Sequence, residues 1–183
     1  DKTIVELFED QVVKTPNKIA VVFEDKKLTY KELNEKSNSL AHYLRNSGIS
    51  RNDIVGIMMN RSLEMIISII AVLKSGGAYL LIDNNLPSDR VAYMLNNCNT
   101  KLLILDYDYK VNFVNKINPS DMTLTNSMDN LDVVNSPNDN FAIIYTSGST
   151  GKPKGVLLHH TGIINLAFSF DKLMNFSVLK NQL

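Results

Sequence analysis

The sequence has one cysteine, no excess charge of either sign and no apolar run long enough to cross a bilayer. Each shortage removes a class of function. Cys98 alone cannot build an internal disulfide framework or an all-cysteine zinc site. It reads as a small buried thiol at a helix end. A lone thiol is compatible with the cytosol, and a cytoplasmic protein is expected. Lys and Arg together number 19, as do Asp and Glu. No field of one sign is left to attract nucleic acid or an anionic membrane, and neither is expected as a partner. The most apolar stretch, Met65 to Leu73, is too short to span a bilayer and reads as core packing. The opening Asp1-Lys2-Thr3-Ile4 has no basic region followed by an apolar run, so no signal peptide is expected there. Asp1 is not a natural initiator, and the 183 residues read as excised from something longer.

What is present is a regular alternation of helical and strand patterns. Thr3 with Glu6, and Thr29 with Glu32, have capping-box spacing and should each open a helix. Between them, Ile19 to Glu24 and Leu28 to Tyr30 read as two short strands joined by a polar turn. Leu33, Ser37, Leu40, Ala41 and Leu44 mark one face of the second helix, which should end before Gly48. Ile54 to Met59 is a strand. Ser62 can cap a helix through Ile66, Ile67, Ile70 and Leu73, ended by Gly76-Gly77. Ala78 to Ile82 is a buried strand, and Pro87-Ser88 opens a short helix carrying Val91, Met94 and Leu95. Lys101 to Leu105 is a further strand. The polar, Asn-rich stretch from Tyr107 to Asn140 reads as a weak helix, a short strand near Met122 to Leu124, and surface loops. Phe141 to Tyr145 and Gly155 to Leu158 are strands, and Thr161 to Met174 an amphipathic helix. Strands alternating with helices imply an α/β fold, a mainly parallel sheet flanked by helices.

The segment that carries chemistry is the loop between those last two strands. Glycine lets a ligand approach the backbone closely, and successive N–H groups can converge on an anion. Thr146, Ser147, Ser149 and Thr150 add hydroxyls, and Lys152 and Lys154 add positive charge. The combination suits the phosphates of a nucleotide. A P-loop is excluded: its first glycine would fall on Thr146, and Pro153 follows the lysine. The dinucleotide fingerprint is excluded because Gly148 and Gly151 have no glycine two residues before Gly148. A surface loop without function is the alternative that composition alone favours.

The complete string decides between them. Tyr145-Thr-Ser-Gly-Ser-Thr-Gly-Lys-Pro-Lys-Gly155 resembles, without a gap, the phosphate-binding signature of the adenylate-forming superfamily. Two further blocks are similar to those of its peptide synthetase branch. One is Leu28-Thr-Tyr-Lys-Glu-Leu33, continuing through Asn38, Leu40 and Ala41. The other is Leu73-Lys-Ser-Gly-Gly-Ala-Tyr79, continuing through Ile82-Asp83 and Pro87-Ser-Asp-Arg90. The resemblance spans nearly the whole chain and is weakest from Tyr107 to Asn140. Leu81, Asn84 and Leu86 depart from the usual second block. His159-His160-Thr161-Gly162 stands where the family often has Glu-His-Arg-Gly.

The resemblance implies the first subdomain of the large N-terminal domain of such enzymes, with residues 1–183 ending before the active site is complete. It implies that an amino acid is activated as an aminoacyl-adenylate with ATP and Mg2+. The acyl group then passes to phosphopantetheine on a carrier protein, beside condensation domains. It assigns nucleotide contact to Thr146, Ser147, Gly148, Ser149, Thr150, Gly151 and Lys152, and a catalytic part to Thr150 and Lys154. No residue of the chain is identified as a metal ligand. The isolated piece is expected to be inactive and to self-associate. An acyl-CoA or aryl-acid ligase, and an inactive nucleotide-binding or structural module, are the alternatives. Among the remaining candidates, His159 and His160 point to opposite faces of a strand and cannot easily share a metal. His42 should be solvent-exposed, Asp106-Tyr107-Asp108 a solvated loop, and Arg90 a structural tie at a helix start.

Overall fold

The computed structural model describes residues 2–107, 109, 111–121, 127–146 and 153–174. Helix α1 (Ile4–Lys14) leads into a hairpin of β1 (Ile19–Phe23) and β2 (Lys26–Thr29), and α2 (Tyr30–Asn46) follows. Then come β3 (Ile54–Met58), α3 (Leu63–Ser75), β4 (Ala78–Leu81), α4 (Ser88–Asn97), β5 (Leu102–Leu105) and β6 (Lys116–Ile117). A 3-10 turn at Pro119–Asp121 precedes β7 (Asn140–Thr146), β8 (Lys154–His159) and α5 (His160–Met174). Among the described residues no helix is long and apolar enough to cross a membrane.

Local signals place the helix ends. Both capping boxes close. Thr3 donates its N–H to Glu6 Oε2 at 2.7 Å, and Thr29 does the same to Glu32 Oε2 at 2.8 Å. The Glu6 and Glu32 carboxyls are held below their ordinary range by these backbone bonds. Ser62 Oγ accepts the Met65 N–H at 3.1 Å. Gly76 ends α3 at φ +103°, a conformation that strains any residue with a Cβ.

The six-stranded sheet has the order β6-β5-β3-β4-β7-β8. The ladders of β3, β4, β5, β6 and β7 are parallel, and β8 runs antiparallel to β7. The chain passes from β3 to its neighbour β4, then crosses back over β3 to β5. Crossovers of one hand in opposite directions put α3 and α4 on opposite faces. Val55 and Ile57 accordingly pack with Leu40, Leu44, Ala71 and Val72 on one side. Ile54 and Met58 pack with Val91, Met94 and Leu95 on the other. Lys74 is buried, pairs with Glu9 and lies 5.5 Å from the Phe8 ring centroid, tying α1 to α3.

Among its described residues the Asn-rich stretch holds a short strand at Lys116–Ile117, paired in parallel with β5, and a 3-10 turn at Pro119–Asp121. The strand expected near Met122 to Leu124 lies outside the described residues. His42 is half-buried, not exposed. Its Nε2 lies 3.0 Å from the Asp129 carbonyl and 3.1 Å from Ser127 Oγ. The cause is a strap. The polar stripe of α2 bonds the segment 127–132: Asn34 Nδ2 to Asn130 Oδ1 (2.9 Å), Asn38 Nδ2 to the Met128 carbonyl (2.7 Å), and Arg45 to the Asp132 carbonyl (2.5 Å). A polar helix face that looked solvated instead satisfies the backbone of a loop.

Strand β7 is fixed at its start by Asp139. Its carboxylate accepts two bonds from Arg51 (2.7 and 2.9 Å), one from Asn52 Nδ2 (3.2 Å) and one from the Ser136 N–H (2.7 Å). Arg51 first, then the Ser136 and Asn52 bonds, hold the Asp139 carboxyl well below the usual carboxylate range. A lowered folded-state pKa adds stability that is complete above the unfolded value and is lost as pH falls through the folded one. Asp139→Asn should therefore be less stable than the native chain at pH 7. The gap should narrow once pH drops below about 4. Urea melts of both proteins between pH 7 and pH 3 check this; a gap that stays constant would mean the charge is not responsible.

Candidate functional site

The two ends of the signature string pair as antiparallel strands at the carboxyl edge of the parallel sheet, where open α/β sheets bind ligands. Its first arm is the end of β7 and its second the start of β8. Thr146 and Lys154 are opposed in the ladder, and both are exposed. Two of the expected phosphate-contacting residues are thus brought together at the hairpin mouth. The other six, Ser147, Gly148, Ser149, Thr150, Gly151 and Lys152, lie outside the described residues.

Below the mouth the hairpin is tied to α4. Tyr145 and Gly155 are cross-strand partners. The Tyr145 hydroxyl accepts a bond from Asn97 Nδ2 at 2.8 Å and lies 3.1 Å from Cys98 Sγ. Burial pushes the Tyr145 phenol up to about 12, with Cys98 adding to the effect. Burial also raises the Cys98 thiol, against a hydrogen bond from Tyr145 that lowers it. Cys98 stands at the end of α4, as its reading from the sequence implied, but is half-buried and not buried. The partnership with Tyr145 left no trace in the pattern, because the two residues are 47 positions apart.

Beside this contact a cleft of about 370 Å³ opens between α4, β4 and β7, lined by Tyr79, Leu86, Met94 and Ile144, with Asp83 and Arg90 at its rim. Arg90 is exposed, and among the described residues its side chain makes no bond or ion pair. Asp106 is not simply solvated, since its Oδ2 accepts the Asn60 N–H at 3.0 Å. Asp108 lies outside the described residues.

The two histidines at the junction of β8 and α5 separate as the pattern implies. His159 is exposed, and His160 is fully buried at the first position of α5. His160 Nδ1 accepts the Ile4 N–H at 3.3 Å, and its ring meets Phe141 edge-on at 5.5 Å. The neutral ring therefore carries its proton on Nε2. Thr161, where the family often has Arg, donates its hydroxyl to the Pro137 carbonyl at 2.7 Å, so it pins the entry of α5.

Comparison with known proteins agrees with this geometry. A family profile described as AMP-binding enzyme matches residues 8–181. Gramicidin S synthase 2 of Brevibacillus brevis is 48% identical over 181 residues, which cover 97% of this chain and 4% of that protein. The nonribosomal peptide synthetase FmoA3 in its alpha-methyl-L-serine-AMP bound form superposes with a TM-score of 0.85 at 29% identity, over 93% of this chain and 20% of that one. The Klebsiella oxytoca NpsA N-terminal subdomain, in complex with 3-hydroxyanthranilyl-AMSN, gives 0.80 at 31% identity, over 89% and 42%. The chain thus spans a small part of the relatives it matches.

Burial lowers the His160 pKa, opposed by the charges of Asp139 and Glu6 and helped by His159. A depressed histidine adds stability that is present above its unfolded value and lost as pH falls through the folded one. His160 should titrate below about 6.5 by NMR. His160→Gln should flatten the stability loss between pH 7 and pH 5 in urea melts; an unchanged slope would assign that loss to other groups.

Proposed function

Because the chain belongs to the AMP-binding enzyme family, we propose that it is the N-terminal part of an amino-acid-activating ligase. One observation carries the reading. The two ends of the gapless signature string pair at the carboxyl edge, Thr146 opposite Lys154, in a chain that is 48% identical to Gramicidin S synthase 2 over 181 residues. The solved relative with alpha-methyl-L-serine-AMP bound favours an amino acid over other acids.

The proposed reaction has two steps. A substrate carboxylate oxygen bonds to the α-phosphorus of ATP, and the bond to the oxygen bridging toward the β-phosphorus breaks. Pyrophosphate leaves with the charge that builds on it. A thiolate of phosphopantetheine on a carrier protein then attacks the acyl carbon, and AMP leaves. The signature loop acts in the first step. Thr146, Ser147, Ser149 and Thr150 offer hydroxyls, Gly148 and Gly151 leave room for close approach, and Lys152 and Lys154 bring charge. Preorganised donors aimed at developing charge are the main device in phosphate chemistry. Among the described residues no group of three His, Cys, Asp or Glu is placed to hold a metal. Condensation domains would stand beside the carrier protein in the same synthetase. ATP supply and the single free thiol suit the cytoplasm.

The second reading, an aryl-acid ligase, is favoured by the likeness to the NpsA subdomain and its aryl ligand. Pyrophosphate exchange separates the two when measured on the polypeptide in which this chain is joined to the rest of its module. Exchange dependent on one amino acid is expected; exchange with an aryl acid, or none, would overturn the amino-acid reading. Gly148→Val should abolish exchange with little change in Tm. Thr150→Ala and Lys154→Ala should each cost roughly 10- to 150-fold, the worth of a hydrogen bond to a charged group.

The 183 residues alone should bind ATP weakly and show no exchange. Ile144, Val156, Leu157, Leu166 and Phe168 are each about half exposed, apolar surface suited to self-association. Light scattering on the purified chain should find dimers or larger species. A strictly monomeric chain that turns over an amino acid would refute the expectation.

A further inference from the structure

We propose that Tyr145 is a positioning residue for nucleotide phosphates, clamping both arms of the signature hairpin to the end of helix α4. The inference rests on the phosphate-binding reading of the hairpin and adds how its root is held.

The clamp is built from three contacts. The first is against the opposite strand. Gly155 faces Tyr145 across the ladder, and a Cβ at Gly155 would lie 3.3 and 3.4 Å from two Tyr145 ring carbons and 3.2 Å from Ile143. The aromatic ring therefore occupies the space that a side chain at position 155 would need. The second contact joins the phenol to α4. Asn97, the last residue of that helix, donates its side-chain amide to the Tyr145 oxygen at 2.8 Å. The third takes the phenol proton. A tyrosine hydroxyl has one proton and two lone pairs. With Asn97 on a lone pair, the proton points to Cys98 Sγ at 3.1 Å or to the more distant Met94 carbonyl at 3.5 Å. Helix α4 is itself fixed, because Val91, Met94 and Leu95 are buried in the core.

The position of the clamp gives it leverage. Tyr145 is the residue before Thr146, and its partner Gly155 is the residue after Lys154. Thr146 and Lys154 are the pair that closes the hairpin. One side chain thus holds the roots of both arms, one residue from each candidate phosphate contact. Catalytic groups must be held to about 0.5 Å by neighbours whose own rotamers are locked. Packing alone does not explain the choice of tyrosine, since phenylalanine fills the same volume. The hydroxyl is the part that reaches α4.

The test uses the polypeptide in which the chain is joined to the rest of its module, with pyrophosphate exchange measured against ATP and against the amino acid separately. Tyr145→Phe removes only the hydroxyl. It should raise KM for ATP by about 3- to 10-fold, the worth of one hydrogen bond. KM for the amino acid and Tm should stay unchanged. Asn97→Ala should do the same, and the double variant should be no worse than either single one. Asn97→Asp, whose carboxylate can accept the phenol proton, should restore the native KM. Gly155→Ala, which presses a methyl group on the ring, should shift KM for ATP in the same direction through an independent change. An unchanged KM for ATP in Tyr145→Phe, with exchange in the native protein, would overturn this inference and leave the proposed function standing. Equal movement of both KM values with Tm would reduce Tyr145 to a packing residue and also overturn it. Absence of exchange in the native protein would remove the proposed function and this inference together.

Discussion

Everything else in the molecule depends on burying strand β3 on both faces. All five of its residues, Ile54 to Met58, are buried. A strand with two apolar faces needs a layer of helix on each side, and parallel neighbours joined by helical crossovers supply both. That requirement sends α3 to one face and α4 to the other. It also aligns the carboxyl ends of β3, β4, β5 and β7 along one edge. The signature loop is delivered to that edge because it directly follows β7.

The polar contacts decide how the rest of the chain is laid over this core. Arg51 and Asn52 precede β3 and bind the carboxylate of Asp139, at the start of β7. Two segments 87 or more positions apart are thereby held in register. The stripe of Asn34, Asn38, His42 and Arg45 does the same for the stretch 127–132. Buried backbone groups that lack a partner are costly, and a loop crossing a helix must find donors on it. The Asn-rich composition of both segments is the material of that contact.

The site is an economical use of the same frame. The chain carries no net charge, so the proposed attraction for a nucleotide rests on local placement and not on a long-range field. Thr146 and Lys154 face each other at the hairpin mouth, and Tyr145 below them reaches a helix that is already locked by its own apolar face. Likeness to solved synthetase domains at TM-scores of 0.80 and 0.85 shows that this frame is shared with much longer proteins.

The sequence by itself determined most of the elements and the family. Capping boxes at Thr3 and Thr29, the Gly76 stop, the β-branched strands and the gapless string from Tyr145 to Gly155 are local signals, each readable within a few residues. The α/β class followed from their alternation, and the family followed from the string. Where the sequence reading went astray, the interaction was long-range. A solvent-exposed His42 and a solvated Asp106 follow from nearest neighbours alone, yet each meets a partner far along the chain. Periodicity shows which face of α2 is polar, but not that residues 127–132 will cover it. It shows that Cys98 ends a helix, but not that Tyr145, 47 residues on, will bring its hydroxyl there. Only the tertiary structure decided those pairings, because the order of strands in the sheet sets which distant segments meet, and that order arises from burying the whole core at once.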